Sequence, residues 1–275
     1  MIDAFISGFS LFWQTYLTTI LMSAVLGCAG VLVVTRGQVF IAAAIAQASL
    51  LGIAVSLLFN FGNTVIPAVA FSVGASLFIG GSGNAAGGGR RHGLDERTAL
   101  VFLLSGSLGV LLLSSYPSGL RELQSAAASS LFGVDTVDFV LFLIFGLVLL
   151  ISLVLMRSKL VLFILDPVMA AAVGLDILKW SMVISGILGL MTGLAIQSSG
   201  MLFTFGALVL PAMAARNICR EVGTLFLASP ILGVLGALIG LFLSAGMDLP
   251  PGQTTVVVQC SILILSWVWR QFRIG

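Results

Sequence analysis

The sequence predicts an all-α, polytopic membrane protein of about nine transmembrane helices, with the N-terminus outside and the C-terminus in the cytoplasm. Three observations carry this reading. Charged residues are 8% of the 275 and hydrophobic residues 59%, against roughly 25% charged in a soluble domain; mean hydropathy is +1.21. The apolar residues form continuous runs, most of them near the ~20 residues that a hydrocarbon core about 30 Å thick demands of a helix. Laid down as alternating crossings, these runs put 11 of the 12 Lys and Arg residues on one side. Those are Arg36, Arg90, Arg91, Arg97, Arg157, Lys159, Lys179, Arg216, Arg220, Arg270 and Arg273; only Arg121 lies opposite. Basic residues flanking spans are retained in the cytoplasm, which sets the orientation. Lipid offers backbone groups no partners, so only helices or closed barrels can cross it, and unbroken apolar runs select helices. One domain, 1–275, is expected.

The crossings fall at 10–35, 39–59, 63–81, 98–115, 137–156, 178–197, 200–216, 225–246 and 254–270. Before the first run stands Asp3 and no basic segment, so the run reads as a retained span rather than a cleaved signal. The connection 80–97, GGSGNAAGGGRRHGLDER, reads as a flexible linker. It is no phosphate cradle, because that needs GxxxxGK[ST] between a strand and a helix. His92 lies in it as a solvated residue at the membrane face; Asp95 and Glu96 are its only neighbours able to share a metal. Outside, 116–138 contains QSAAASSLFG, too short to span and rich in small residues. A buried dip and plain helix packing both fit it, while Asp135 and Asp138 read as interfacial charges.

The cytoplasmic loop 165–179, LDPVMAAAVGLDILK, encodes a helix of about two turns. Asp166 suits its N-cap, Pro167 its first position and Gly174 its stop. A docking helix and a mere connector both remain open on these grounds. The run 200–216 is short, so a tilted, broken or re-entrant span is expected, with a kink at Pro211. Cys28, Cys219 and Cys260 lack close-spaced partners and read as free thiols.

Taken in order, these segments resemble the permeases of bacterial zinc/manganese-type metal ABC importers. A D-P-x-x-A-x-x-x-G segment is matched at Asp166, Pro167, Ala170 and Gly174, followed by SSGMLFTFGALVLPAMAARNICR and, at 247–256, MDLPPGQTTV. The N-terminal match is GCAGVLVVTRGQVFIAAAIAQASLLGIAVSLL. The likeness covers nearly the whole chain. It implies an integral protein of the bacterial plasma membrane that pairs with a second permease copy or a related permease. It implies two further partners, a cytoplasmic ATP-binding subunit and an extracytoplasmic substrate-binding protein, with Asp166 to Gly174 as the coupling helix. By the same likeness the chain is no enzyme and needs no cofactor, since ATP hydrolysis belongs to a separate chain. No nucleic-acid partner is expected.

One family feature is missing. Members read D-x-x-x-H-A-S-L-L-G in the second span, where residues at i and i+4 share a helix face and offer oxygen and nitrogen to a divalent metal. Here those positions are Ala43 and Gln47, so no metal ligand is assigned to this chain. The polar candidates within the spans are Gln14, Gln47, Gln197, Ser198, Ser199 and Gln259. Of these, Gln47 and Gln197, together with Ser49, are the candidate pathway residues. An interhelical hydrogen bond is the competing role for Gln47. Two versions follow: a related permease supplies the ligand pair, or the cargo is a metal chelate whose organic shell replaces protein ligands. An ion-driven secondary transporter and a non-transporting partner subunit are the alternatives of other classes. If the alignment of the second span is right, Ala43→Asp combined with Gln47→His creates divalent-metal binding, measurable by calorimetric titration of the purified protein. Unchanged affinity sinks the assignment of these two positions to the pathway.

Overall fold

The computed structural model describes residues 2–81, 90–114, 119–128, 131, 136–165 and 167–274. Among them run α1 (Ile2–Thr35), α2 (Val39–Leu58), α3 (Val65–Gly80), α4 (Arg90–Ser114), α5 (Gly119–Ala127), α6 (Thr136–Leu165), α7 (Pro167–Ala172), α8 (Ile177–Ser199), α9 (Met201–Ile218), α10 (Val222–Met247) and α11 (Pro251–Ile274). The class is all-α, as expected. Eight helices are long and apolar enough to cross a membrane, and the 16-residue α3 is a shorter apolar helix beside them.

Two expectations are refined. The run 200–216 is not broken: α9 is a continuous helix of 18 residues with Pro211 inside it. The interruption sits just before it, at Gly200, where φ is 80° and ψ 164°. That positive φ suits glycine, and it lets α9 start at once after α8. The linker 80–97 is partly helical, because α4 begins at Arg90. Thr98 Oγ1 donates to the Leu94 carbonyl at 2.7 Å, and Leu94 packs beside Ala44, Ala48, Ile79 and Val101, so this segment has a core to hold it. Residues 82–89, and with them most of the glycines, lie outside the described residues, as does Asp135.

The chain divides into two compact units. Unit 1 comprises Met1–Gly37, Ala128–Leu155 and Ser198–Gly275. Within it α10 packs on α1, α9 and α11, and α9 packs on α1 and α11. Apolar tails of lipid are as greasy as leucine, so helices associate through close van der Waals contact and interhelical hydrogen bonds. Gly30 of α1 lies directly on the Leu208 carbonyl of α9. Gly27 faces Ser229 of α10, whose Oγ donates to the Gly27 carbonyl at 2.6 Å.

Unit 2 comprises Gln38–Ala127 and Met156–Gln197. Here α2 packs on α3, α4 and α5, with Gly52 set against the backbone of Pro67 and Ala68. α3 meets α8 through small residues spaced by four. Ser72 lies by Gly193, Ser76 by Gly189, and Gly80 by Ser185. Hydrogen bonds lock that seam: Ser72 Oγ donates to the Gly189 carbonyl at 2.8 Å and Ser181 Oγ to the Gly80 carbonyl at 3.2 Å.

Arginines satisfy carbonyls at the helix ends that the charge pattern assigns to the cytoplasm. The last turn of a helix leaves carbonyls unpaired and carries the negative end of its dipole. Arg216 Nη1 donates to Val34 O at the end of α1, 3.3 Å away. Arg97 Nη1 donates to Phe78 O near the end of α3, also at 3.3 Å, and its guanidinium lies 5.3 Å from the Phe78 ring centroid. Arg270 Nη1 donates to Asn217 Oδ1 at 3.4 Å, and Asn217 Nδ2 donates to Ser266 Oγ at 2.9 Å.

Gly30→Ala forces a Cβ onto the Leu208 carbonyl, an overpacking that costs about 1–3 kcal/mol or more. Gly109, with nothing within 4 Å of where a Cβ would sit, tolerates the same change. Thermal denaturation in detergent should show a lowered midpoint for Gly30→Ala and none for Gly109→Ala; equal midpoints contradict the close α1–α9 approach.

Candidate functional site

The joint between α7 and α8 is an ordered turn in the loop predicted to couple the protein to a partner. Gly174, at φ 88°, ends α7 as the sequence predicts. Its N–H donates to the Ala171 carbonyl and the Leu175 N–H to the Ala170 carbonyl, both at 3.0 Å. This is a Schellman stop, in which a residue in the left-handed region lets the chain close back on orphan carbonyls. Two residues on, Asp176 caps α8: its Oδ1 accepts the Lys179 N–H at 3.2 Å, while its Oδ2 pairs with Lys179 Nζ at 3.1 Å. Trp180, next along α8, lies 6.0 Å from the Phe163 ring near the end of α6. Hydrogen bonds thus order the chain on both sides of the short turn that joins α7 to α8, which meet as an elbow.

The elbow exposes apolar side chains. Val168 is 76% exposed, Met169 57% and Val173 68%, whereas Ala170 is fully buried. The predicted capping residue Asp166 lies outside the described residues; Pro167 opens α7. Of the predicted coupling positions, Ala170 anchors α7 and Gly174 terminates it.

The candidate pathway residues occupy three different environments. Ala43 and Gln47 lie one turn apart on α2 and are both partly exposed. Gly106 of α4 stands next to Gln47 Oε1, which is 3.6 Å from the place a Cβ would take. Ser49, about 200° further round the helix, is fully buried and its hydroxyl has no hydrogen-bond partner. Gln197 sits at the opposite end of the α2–α3 hairpin from Gln38: its Nε2 donates to Thr64 Oγ1 at 2.7 Å and its Oε1 is buried without a partner. These residues therefore do not form one constellation. Cys28, Cys219 and Cys260 are free thiols. Among the described residues no three His, Cys, Asp or Glu side chains gather as metal ligands do.

Sequence reasoning missed one polar cluster. Asp138 in the first turn of α6 accepts a 2.6 Å hydrogen bond from Ser198 Oγ. Beside it Ser199 Oγ lies 3.2 Å from Thr204 Oγ1, which donates to the Gly200 carbonyl at 2.8 Å. The Ser198–Ser199–Gly200 run was the available signal. What it lacked was a pointer to a carboxylate sixty residues away in the chain.

The model of the ABC 3 transport family matches residues 9–270. The manganese import system permease protein ScaB of Streptococcus gordonii is 26% identical over 270 residues, covering 97% of this chain and 95% of that protein. The high-affinity zinc uptake system membrane protein ZnuB of Haemophilus influenzae is 22% identical over 263 residues, covering 96% and 99%. The solved structure of PsaBC from Streptococcus pneumoniae in complex with Fab superposes with a TM-score of 0.80 at 22% identity, over 97% of this chain and 95% of that one, so the two share a fold.

Hydrogen bonds from the Lys179 backbone and side chain hold the Asp176 carboxyl below its ordinary value of 3.8. A depressed carboxyl stabilises above its unfolded value, and the benefit fades as pH falls through the folded one. Protection of the Lys179 amide from hydrogen exchange should therefore persist down to pH 3.8 and weaken only below it. In Asp176→Ala that protection should be low at every pH; an unaltered profile contradicts the cap.

Proposed function

The chain belongs to the ABC 3 transport family, and on that premise we propose that it is the membrane-spanning permease subunit of a binding-protein-dependent ABC importer for metal ions or metal chelates. The observation that carries the mechanism is the α7–α8 elbow with its exposed apolar tip. A push delivered to α7 reaches α8 through a short turn that the Schellman stop orders on one side and the Asp176 cap on the other. Val168, Met169 and Val173 supply the contact surface for a cytoplasmic ATP-binding subunit. The coupling segment is Asp166 to Gly174, with Ala170 seating it against the permease.

The orientation that suits this reading places the N-terminus outside and the C-terminus inside, with 1–275 working as one permease domain in the bacterial plasma membrane. An external binding protein delivers cargo to the opposite face. A second permease copy, or a related permease, completes the dimer. The partly exposed Ala43–Gln47 stripe of α2 is the segment proposed to face the pathway. Its neutral chemistry suits a cargo whose charge is met elsewhere, by a ligand-bearing partner permease or by the organic shell of a chelate. The relatives named for manganese and zinc support the metal class.

Val168→Glu and Val173→Glu alter exposed positions and leave the core intact. In the permease co-purified with its ATP-binding subunit, each should lower cargo uptake on the order of tenfold, equivalent to about 1.4 kcal/mol of coupling, while ATP hydrolysis continues. Full uptake in both variants refutes the coupling role. Uptake that survives deletion of every candidate ATP-binding subunit refutes the importer reading itself.

A further inference from the structure

Gln259 is a polar residue of the spans that the transport reading leaves without a task. It lies on α11 and is 2% exposed, and neither Oε1 nor Nε2 of its amide has a hydrogen-bond partner. A primary amide can make up to four hydrogen bonds, and a buried polar group left unpaired is disfavoured enough that native proteins nearly always pair it. Nearby groups explain why the amide cannot reach the backbone of α10. Its Cγ and Cδ lie over Gly236, where a Cβ would come within 2.6 Å of Cγ, and Gly240 is filled by Thr255 one turn away. The α10 backbone at these positions is spent on its own helical hydrogen bonds.

We propose that Gln259 is the principal ligand of a buried hydration site, occupied by ordered water, between α11 and α10. The chemistry selects water. The amide presents a donor and an acceptor together, both uncharged, and a ligand there must return one of each. An anion answers only the donor and a cation only the acceptor. A larger organic ligand has no way in at 2% exposure. Internal waters typically make about three hydrogen bonds to buried polar groups and are costly to remove, and the Gln259 amide offers two of them. Such a water ties α11 to its neighbours at a level where lipid provides nothing to bond. The site is independent of which cargo the protein carries.

The test is a high-resolution crystal structure of the full chain grown in a lipidic mesophase, alone and after a manganese(II) soak, together with the melting temperatures of wild type and Gln259→Met. The expected result is a density peak within hydrogen-bonding distance of the amide that shows no manganese anomalous signal and is absent in Gln259→Met. The melting temperature of that variant should be unchanged or lower. Three results overturn the proposal. A map that resolves other internal waters but shows none at Gln259 does so. So does a rise of several degrees in the melting temperature of Gln259→Met, which means that the amide was unpaired. An anomalous peak at the amide does so as well, because it makes the ligand a cation. Should Gln259→Met not fold, Gly236→Ala displaces the amide through its Cγ and must remove the same peak; a retained peak there counts against the site.

Discussion

The rest of this structure depends on the close approach of helix backbones in a medium that supplies no hydrophobic drive between them. In water, a leucine face finds its partner because both escape the solvent. In lipid that gain vanishes, and what remains is contact area and hydrogen bonding. Gly30 on the Leu208 carbonyl, Gly52 on the Pro67–Ala68 backbone, and the Ser72–Gly193, Ser76–Gly189 and Gly80–Ser185 seam are the places where that contact is made. Large apolar side chains are mostly turned outward, as on α6, where Leu147, Leu150, Val154 and Leu155 are exposed. Large side chains are buried as well, Phe142, Phe163 and Phe203 among them, so the small residues mark the lines where backbones touch rather than the whole interior.

The same medium dictates where charge can go. Arginine stays at the rims, and the charge pattern is what suggests which rim is cytoplasmic. In the folded protein Arg216 and Arg97 also donate to carbonyls in the last turns of α1 and α3.

The proposed coupling role rests on the contrast between the ordered α7–α8 elbow and the neutral spans. A helix of six residues has little stability of its own. α7 owes its definition to the stop at Gly174 and the buried Ala170. Its exposed side is apolar, which is the ground for proposing that it receives force from a partner chain. Family membership and the nearly full-length relatives support a permease subunit of a metal importer.

Much of this was legible in the sequence. The apolar runs located the helices, because a segment's preference for lipid is a local, additive property. Gly174 marked the end of α7, because only the left-handed backbone of a helix stop requires glycine there. The start of α4 at Arg90 and the continuity of α9 were less legible, since both depend on what lies alongside. Partners were not legible at all. Asp138 with Ser198, Arg216 with Val34 and Gly30 with Leu208 are separated by long stretches of chain. A span that is apolar on every face carries no stripe to say which side turns inward. The sequence by itself determined which segments enter the membrane and which rim bears the charge. Only the tertiary structure decided which backbones touch, which hydroxyls are paired and which amide is left over, because those follow from the rotation of each helix about its axis, and hydropathy is blind to rotation.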